Sequence, residues 1–402
     1  MFETRAIASE AELRQAVHLA AKTFRHPSFD MDTSQIVAWL RAYPTFRPEL
    51  VRVRVADGRV ISQLWIVDRI MRVGLAEWRM GGIAAVSTVP EARSQGHATA
   101  LMQDALELMR RKGFDITVLH GIDHFYHRFG YAVVWPNSRL QIPLGEAREL
   151  MSRYTTRPAS PEDALAFAKL YEQAWEHRPG ALARSESYWR WLLQVQRSWW
   201  VATDHRRVVC GYAAISDQRP GEVTELVAAD AEAAFALIGQ VARQASGNLG
   251  LLQIFTSRDD PLVSWLRRAC HVTFIEETAP QGGWMARFIN LYSAFSKLSE
   301  ELNARFLRSA LRDWRGRVNL ETELGTIALA CRYGRLLVVE LPPPGGLTCR
   351  IPQDRLMQLV MGFRSPSDVA EDPDVSISDA AMPFLEVLFQ PAAAGMAGLD
   401  WF

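Results

Sequence analysis

The sequence predicts an α/β chain of two tandem mixed-sheet units followed by a smaller α+β unit. Three observations carry this expectation. A length of 402 residues exceeds what one hydrophobic core ordinarily organises. One order of elements (helix, strand meander, helix, further strand) spans residues 1–148 and recurs over 149–289 without visible sequence identity between the two. In residues 290–402, three strand-like runs crowd together ahead of short helices.

In the first unit, "EAELRQAVHLAAKTF" sets Leu13, Val17, Ala20 and Phe24 on one helical stripe. Strands are expected in "LVRVRVADG", "RVISQLWIVDRIMRVG" and "WRMGGIAAVSTV". The helix "HATALMQDALELMRRKG" then gathers Leu101, Met102, Ala105, Leu108 and Met109 on a face, and Gly113 ends it. "DITVLH" and "AVVWPNSRLQIP" each read as one strand.

A Pro/Ser/Asp linker opens the second unit, with helices in "PEDALAFAKLYEQAW" and "SESYWRWLLQVQ". Strands "SWWVATD", "RVVCGYAAISD" and "EVTELVAA" follow, then the helix "DAEAAFALIGQVARQAS" and the strand "LGLLQIFTS". The third unit has strands "GRVNLETEL", "GTIALACRYG" and "RLLVVELP", closed by "PPPGG". Short helices follow in "IPQDRLMQLVMGF", "SPSDVAED" and "SDAAMPFLEVLFQ".

Lys+Arg and Asp+Glu are equal at 45 each, a balance that gives no support for a nucleic-acid or anionic-membrane partner. Cys210, Cys270, Cys331 and Cys349 lack paired metal-ligand spacing, so no metal is expected and the thiols read as reduced, in a cytoplasmic protein. No apolar leader or membrane-spanning run is expected.

The stretch "STVPEARSQGHATALM" ends a strand at Pro90 and opens a helix through Arg93-Ser94-Gln95-Gly96-His97-Ala98. A helix N-terminus offers unpaired N–H groups and a positive dipole end, which suits a pyrophosphate such as that of an acyl-CoA. Gly96 removes a Cβ from the approach and Arg93 adds a charge. The preceding strand end, Val86-Ser87-Thr88, is free to present backbone groups to an amide-rich pantetheine arm. A plain strand–turn–helix connection fits the same residues. The loop carries no G-x-x-x-x-G-K-[ST] and no G-x-G-x-x-G.

Strand, R-x-x-G-x-A loop, helix, strand and then Y-x-R-F-G-Y at Tyr126 to Tyr131 resemble a GCN5-related N-acetyltransferase (GNAT). Chain length, block order, "LYEQAWEHRPGALARSESYWRWLL", "TSRDDPLVSWL" and an aromatic C-terminus resemble the enhanced intracellular survival (Eis) family of aminoglycoside and lysine acetyltransferases. The resemblance implies two tandem GNAT-like domains, the first catalytic, and a sterol-carrier-protein-like C-terminal domain. It also implies a homohexamer, acetyl-CoA as cosubstrate, and a small-molecule or lysine amine as acceptor. The cofactor site would comprise Val86, Ser87, Thr88, Arg93, Ser94, Gln95, Gly96, His97, Ala98, Thr99, Gly121 and Ile122.

Tyr126 is then the candidate general acid, with a core tyrosine as the competing reading. In the first unit only Glu77 and Asp123 are candidate bases by placement; the resemblance offers instead the C-terminal carboxylate of Phe402. Phe24, His26, Trp39, Ala85, Asp400 and Trp401 would line the amine pocket, Phe24 and Trp39 being equally suited to a core. His26, Ala85 and Trp401 depart from the aminoglycoside-acetylating pattern, which has an acid, a phenylalanine and a glutamate there. The second unit has no glycine loop and starts its helix with Asp230-Ala231-Glu232, so one acetyl-CoA per chain is expected. A lipid-binding module with a degenerate acetyltransferase is the alternative.

Overall fold

A computed structural model describes residues 2–24, 33–196, 198–217, 219, 221–245, 250–332 and 334–402. The chain opens with β1 (Phe2–Ala6), α1 (Glu10–Phe24), α2 (Thr33–Ala42), β2 (Val51–Ala56), β3 (Arg59–Val73) and β4 (Ala76–Thr88). Gly74, at φ +58°, turns β3 directly into β4. Then come α3 (His97–Arg111), β5 (Ile116–Gly121) and β6 (Ala132–Trp135). α3 buries the stripe Leu101, Met102, Ala105, Leu108 and Met109 against the sheet, and Gly113 (φ +71°) follows its end.

The second unit contains β7 (Asn137–Pro143), α4 (Leu144–Arg148), β8 (Thr155–Pro158), α5 (Ala164–Trp175), α6 (Glu186–Val195), β9 (Trp199–Thr203), β10 (Val209–Ile215) and β11 (Glu222–Ala228). It continues with α7 (Ala231–Gln244), β12 (Leu251–Phe255), α8 (Pro261–Leu266) and β13 (Thr273–Glu277). β14 (Gly283–Phe288) then leaves this unit. The first sheet has the order β1-β2-β3-β4-β5-β14-β6 and the second β13-β7-β12-β11-β10-β9-β8.

The run 132–143, expected as one strand, is therefore two strands in two sheets. Pro136 has no N–H with which to continue a ladder, and the chain changes sheet there. Residues 137–143 join the second sheet and 283–288 the first, so the sheets do not follow the divisions expected at 148/149 and 289/290.

The third unit comprises α9 (Leu291–Leu307), β15 (Gly316–Thr322), β16 (Gly325–Arg332), β17 (Arg335–Glu340), β18 (Leu347–Arg350), α10 (Gln353–Val360), α11 (Pro366–Val369), β19 (Ser376–Ile377) and α12 (Met382–Leu388). Its sheet order is β17-β16-β15-β18-β19. α9 lies against the first sheet, where the Trp78 indole N–H donates to the Ala294 carbonyl at 2.9 Å. The buried Asp115 carboxylate takes Lys297 Nζ and Ser293 Oγ, each at 2.6 Å. From α10, Gln353 bonds the backbone of Phe288 and Gly130. One apolar core thus continues from β3, β4 and β14 into the third unit.

The last residues run back between the two larger sheets. Gly395 N–H donates to Pro179 at 2.8 Å, and Gly398 abuts the Thr224 carbonyl of β11.

Candidate active site

β4 and β5 pair in parallel only at Met80↔Ile116, Gly81↔Thr117 and Gly82↔Val118, although both strands run on. A β-bulge opens the gap beyond. Ala85 and Val86 together oppose Leu64, and Ala85 takes φ +53°. Gln63 holds the bulge through its side-chain amide, which donates to the Ala85 carbonyl and to Ser87 Oγ. The strand end Val86–Thr88 is thereby turned away from β5, leaving an opening through the sheet.

Pro90 and Arg93 follow, the Arg93 side chain donating to the Thr88 carbonyl at 3.2 Å. Ser94 (φ +61°) and Gly96 (φ +81°) turn the chain into α3. Among the described residues, no acceptor takes the backbone N–H groups of residues 94–99. A run of unpaired amides at a helix start suits an anion. A Cβ on Gly96 would meet no protein atom within 4 Å, so the glycine serves the positive φ and leaves the approach open. The His97 ring faces inward instead: its Nδ1 accepts from Arg54 Nε at 2.9 Å and it packs 4.7 Å from Phe2. Burial, then the Arg54 charge, lowers its pKa, and its Nε2 is buried without a partner among the described residues.

Tyr126 lies past β5 on the α3 side of the sheet, 7 % exposed. A Cβ on Gly121 would come 2.8 Å from its ring, so this glycine makes room for the phenol. Burial pushes the phenol up to about 12. Among the described residues, no protein group is hydrogen-bonded to its hydroxyl, and burial is the sole cause of the shift. Ile122 beyond it is exposed.

Phe402 arrives on the opposite face. Along β4, Trp78, Met80, Gly82 and Ala84 share that face, while Gly81 meets Met109 of α3 on the other. A Cβ on Gly82 would lie 2.5 Å from the Phe402 ring, which fills the gap between α9 and the α1–α2 layer. Gly82 is the last residue of β4 paired with β5. Tyr126 and the chain terminus therefore approach one opening from opposite faces of the sheet.

The remaining expected pocket residues divide. Trp401 is 40 % exposed and packs on Phe255 and Trp284. Together with Trp135 and Trp175 these rings line a narrow crevice between the first two units. Asp260 also lines it; burial raises its pKa, although it accepts from Leu262 N and Thr256 Oγ1. His120 rests edge-on against Trp284 at 5.1 Å. Ala85 forms the bulge, Phe24 is half-exposed at the end of α1, and Trp39 packs 5.0 Å from Trp191 of α6. His26 lies outside the described residues.

Asp400 corrects the expectation. It is buried between Arg69 (3.2 Å) and Arg184 (2.9 Å), not presented to an amine. Burial opposes its charge, and the two guanidinium groups outweigh that and hold its pKa below the usual range. Glu77 pairs with Arg72 at the far end of β4, and Asp123 packs against Gly282, so neither faces the opening.

Sequence reasoning missed Gly82, Gln63 and the partners of Asp400. The "GG" of "WRMGGIAAV" was the available signal, since adjacent glycines weaken a strand unless something approaches its backbone. In the second unit, Asp230 caps α7 by accepting from Ala233 N at 2.8 Å and also receives Tyr154 Oη. A carboxylate thus stands where the first unit keeps free amides.

Among the described residues, no helix is long and apolar enough to cross a membrane, and no cluster suits a metal ion. A comparison with curated proteins finds no match. Three solved structures are similar over all of both chains. They are a GCN5-related N-acetyltransferase from Kribbella flavida (22 % identity, TM-score 0.74), a probable N-acyltransferase from Enterococcus faecalis V583 (15 %, 0.77) and Eis1 from Mycobacterium abscessus (18 %, 0.68). Residues 4–134 match the family described as acetyltransferase (GNAT) domain. The chain has the GNAT acetyltransferase fold in its first unit, within a larger multi-domain architecture.

Proposed function

We propose that this chain transfers an acetyl group from acetyl-CoA directly to a primary amine, of the aminoglycoside-like or lysine type, in the manner of Eis-like enzymes. The amides of residues 94–99 take the pyrophosphate, with Arg93 beside them, and Val86–Thr88 receive the pantetheine arm. The thioester then sits in the opening between β4 and β5.

The amine enters from the face that carries Phe402, past the Trp401 and Trp284 rings, where cation–π contact favours an ammonium-bearing molecule. The terminal carboxylate takes the amine's proton as the nitrogen attacks the carbonyl carbon. Backbone N–H groups near Val86–Thr88 receive the negative oxygen. The C–S bond then breaks, and the sulfur receives a proton from Tyr126. Because burial pushes this phenol up to about 12, it stays protonated throughout the neutral range. It works as a hydrogen-bond donor to the departing sulfur, the bond strengthening as thiolate charge develops, and any proton it passes to sulfur is replaced from solvent. The third unit's part is to deliver the tail.

One observation carries this reading. Among the described residues, a phenol without a hydrogen-bond partner and the ring of Phe402 flank the same break in the sheet from its two faces. Three glycines appended after Phe402 test it. The amide that replaces the carboxylate has no basicity, so acetyl transfer to a panel of aminoglycosides, polyamines and lysine peptides is expected to vanish while acetyl-CoA still binds. Unchanged turnover would refute the terminal base.

A further inference from the structure

Asp400 does more than fill a space. Its carboxylate contacts Arg69 of β3 and Arg184 of the loop before α6, and Arg184 grips Glu225 of β11 with two bonds at 2.6 and 2.8 Å. All four side chains are between 0 and 4 % exposed. The Tyr171 hydroxyl, which donates to the Leu182 carbonyl at 2.8 Å, lies 3.3 Å from Asp400, and Tyr212 donates to Glu225 at 2.7 Å. Two cations and two anions make the group neutral. Buried ionic clusters are poor sources of net stability compared with apolar packing, and a well-attested use of them is to fix one arrangement among several.

We propose that this quartet is a lock that sets the position of the C-terminal carboxylate. Asp400 and Phe402 are two residues apart, a span of at most about 7 Å. Fixing the first therefore confines the second to the mouth of the opening above Gly82. Arg69 belongs to the first sheet and Glu225 to the second, while Asp400 comes from the tail that follows the third unit. The lock closes only when all three come together, so the acceptor end of the site is completed by assembly of the whole chain. Arg69, Arg184, Glu225 and Asp400 act here as positioning residues, and their catalytic consequence rests on the proposed role of Phe402.

The test uses the full-length protein. Asp400→Asn alone leaves an unbalanced buried cation and risks misfolding. Asp400→Asn combined with Arg69→Met removes one charge of each sign and keeps the Arg184–Glu225 pair; Arg184→Lys is a milder variant that keeps charge and loses the two-pronged grip. Carboxypeptidase A is added at a temperature where the near-ultraviolet spectra of variant and wild type superimpose. Release of Phe402 is expected to quicken at least tenfold in the double variant. The initial kcat before digestion is expected to fall about tenfold, with KM for acetyl-CoA within twofold of wild type. A folded double variant whose Phe402 is as protected as in wild type overturns the lock. Deletion of Phe402 from the otherwise natural chain separates the two ideas: if that variant turns over normally, the carboxylate is not the base, while accelerated release in the double variant still establishes the lock.

Discussion

Replacing Gly82 with alanine probes the site at its narrowest contact. The new Cβ would lie 2.5 Å from two carbons of the Phe402 ring and 2.8 Å from a third. Carbon atoms settle at about 3.5–4.0 Å, so the ring must retreat by roughly 1 Å or more. Gly82 does not have a positive φ, so alanine brings no backbone strain of its own. The ring and the terminal carboxylate share one residue, and movement of the first is passed to the second. A misplacement of about 1 Å costs as much as 10²-fold in rate, or about 2.7 kcal/mol of barrier. Overpacking costs about 1–3 kcal/mol of stability.

A fall in kcat of about 10- to 100-fold is therefore expected, read from thiol release with acetyl-CoA and an amine. KM for acetyl-CoA should hold, because the amides of residues 94–99 open α3 on the other side of the sheet. Gly81→Ala is the matched control one residue away. Its Cβ would press on Met109 beneath α3, so stability should drop by a similar amount while kcat stays within about twofold. Equal loss of kcat in both variants, or a folded Gly82→Ala protein with wild-type kcat, would refute the reasoning.

Four further outcomes follow from the same geometry. Tyr126→Phe should lower kcat by about 10²–10⁴-fold, with acetyl-CoA affinity by calorimetry unchanged. Burial raises the folded phenol to about 12 against an ordinary 10, so its stabilising contribution is complete below pH 10 and disappears as pH rises toward 12. Wild-type stability should accordingly fall by up to about 2–3 kcal/mol more than that of the Phe variant across this window, followed by denaturant unfolding. Gly96→Ala places a Cβ at φ +81°, a strain of about 1–2 kcal/mol, and should weaken acetyl-CoA binding about tenfold in titration. A fragment ending at residue 148 lacks β14, the shared partner of β5 and β6, and is expected to show no cooperative unfolding transition.

The elements that were legible in the sequence are those that local patterning specifies. The α3 stripe, the turn through Arg93–Gly96 and the strands of the third unit all lie where period and turn chemistry put them. What could not be read is what distant residues decide. "AVVWPNSRLQIP" is strand-like throughout, and only the partners of each half, more than a hundred residues away, send β6 and β7 into different sheets. Asp400 beside two aromatic residues looks like an exposed pocket acid. Its burial depends on Arg69 and Arg184, whose separations of 331 and 216 residues leave no local trace. Gly82 had a signal in its neighbour Gly81, yet the ring that explains it comes from the end of the chain.

The exchange of β7 and β14 and the return of the tail bear on the same problem. A sheet opening that must admit a thioester from one face and an amine from the other cannot be covered by a helix on both. Here α3 lies on one face, while on the other α9 and the α1–α2 layer stop short of Gly82 and leave a gap one side chain wide. A residue delivered from far along the chain can fill that gap only if its approach is constrained from several directions. β14 supplies one constraint: Trp284 sits 5.6 Å from the Trp401 ring and 6.2 Å from that of Phe402. Arg69 and Arg184 supply another through Asp400. The phenol and the amide nest depend on the first sheet and on nothing from the tail, whereas the carboxylate needs every unit in place. In the proposed mechanism, binding of acetyl-CoA and transfer of its acetyl group are therefore separable, the first resting on one sheet and the second on the assembled chain.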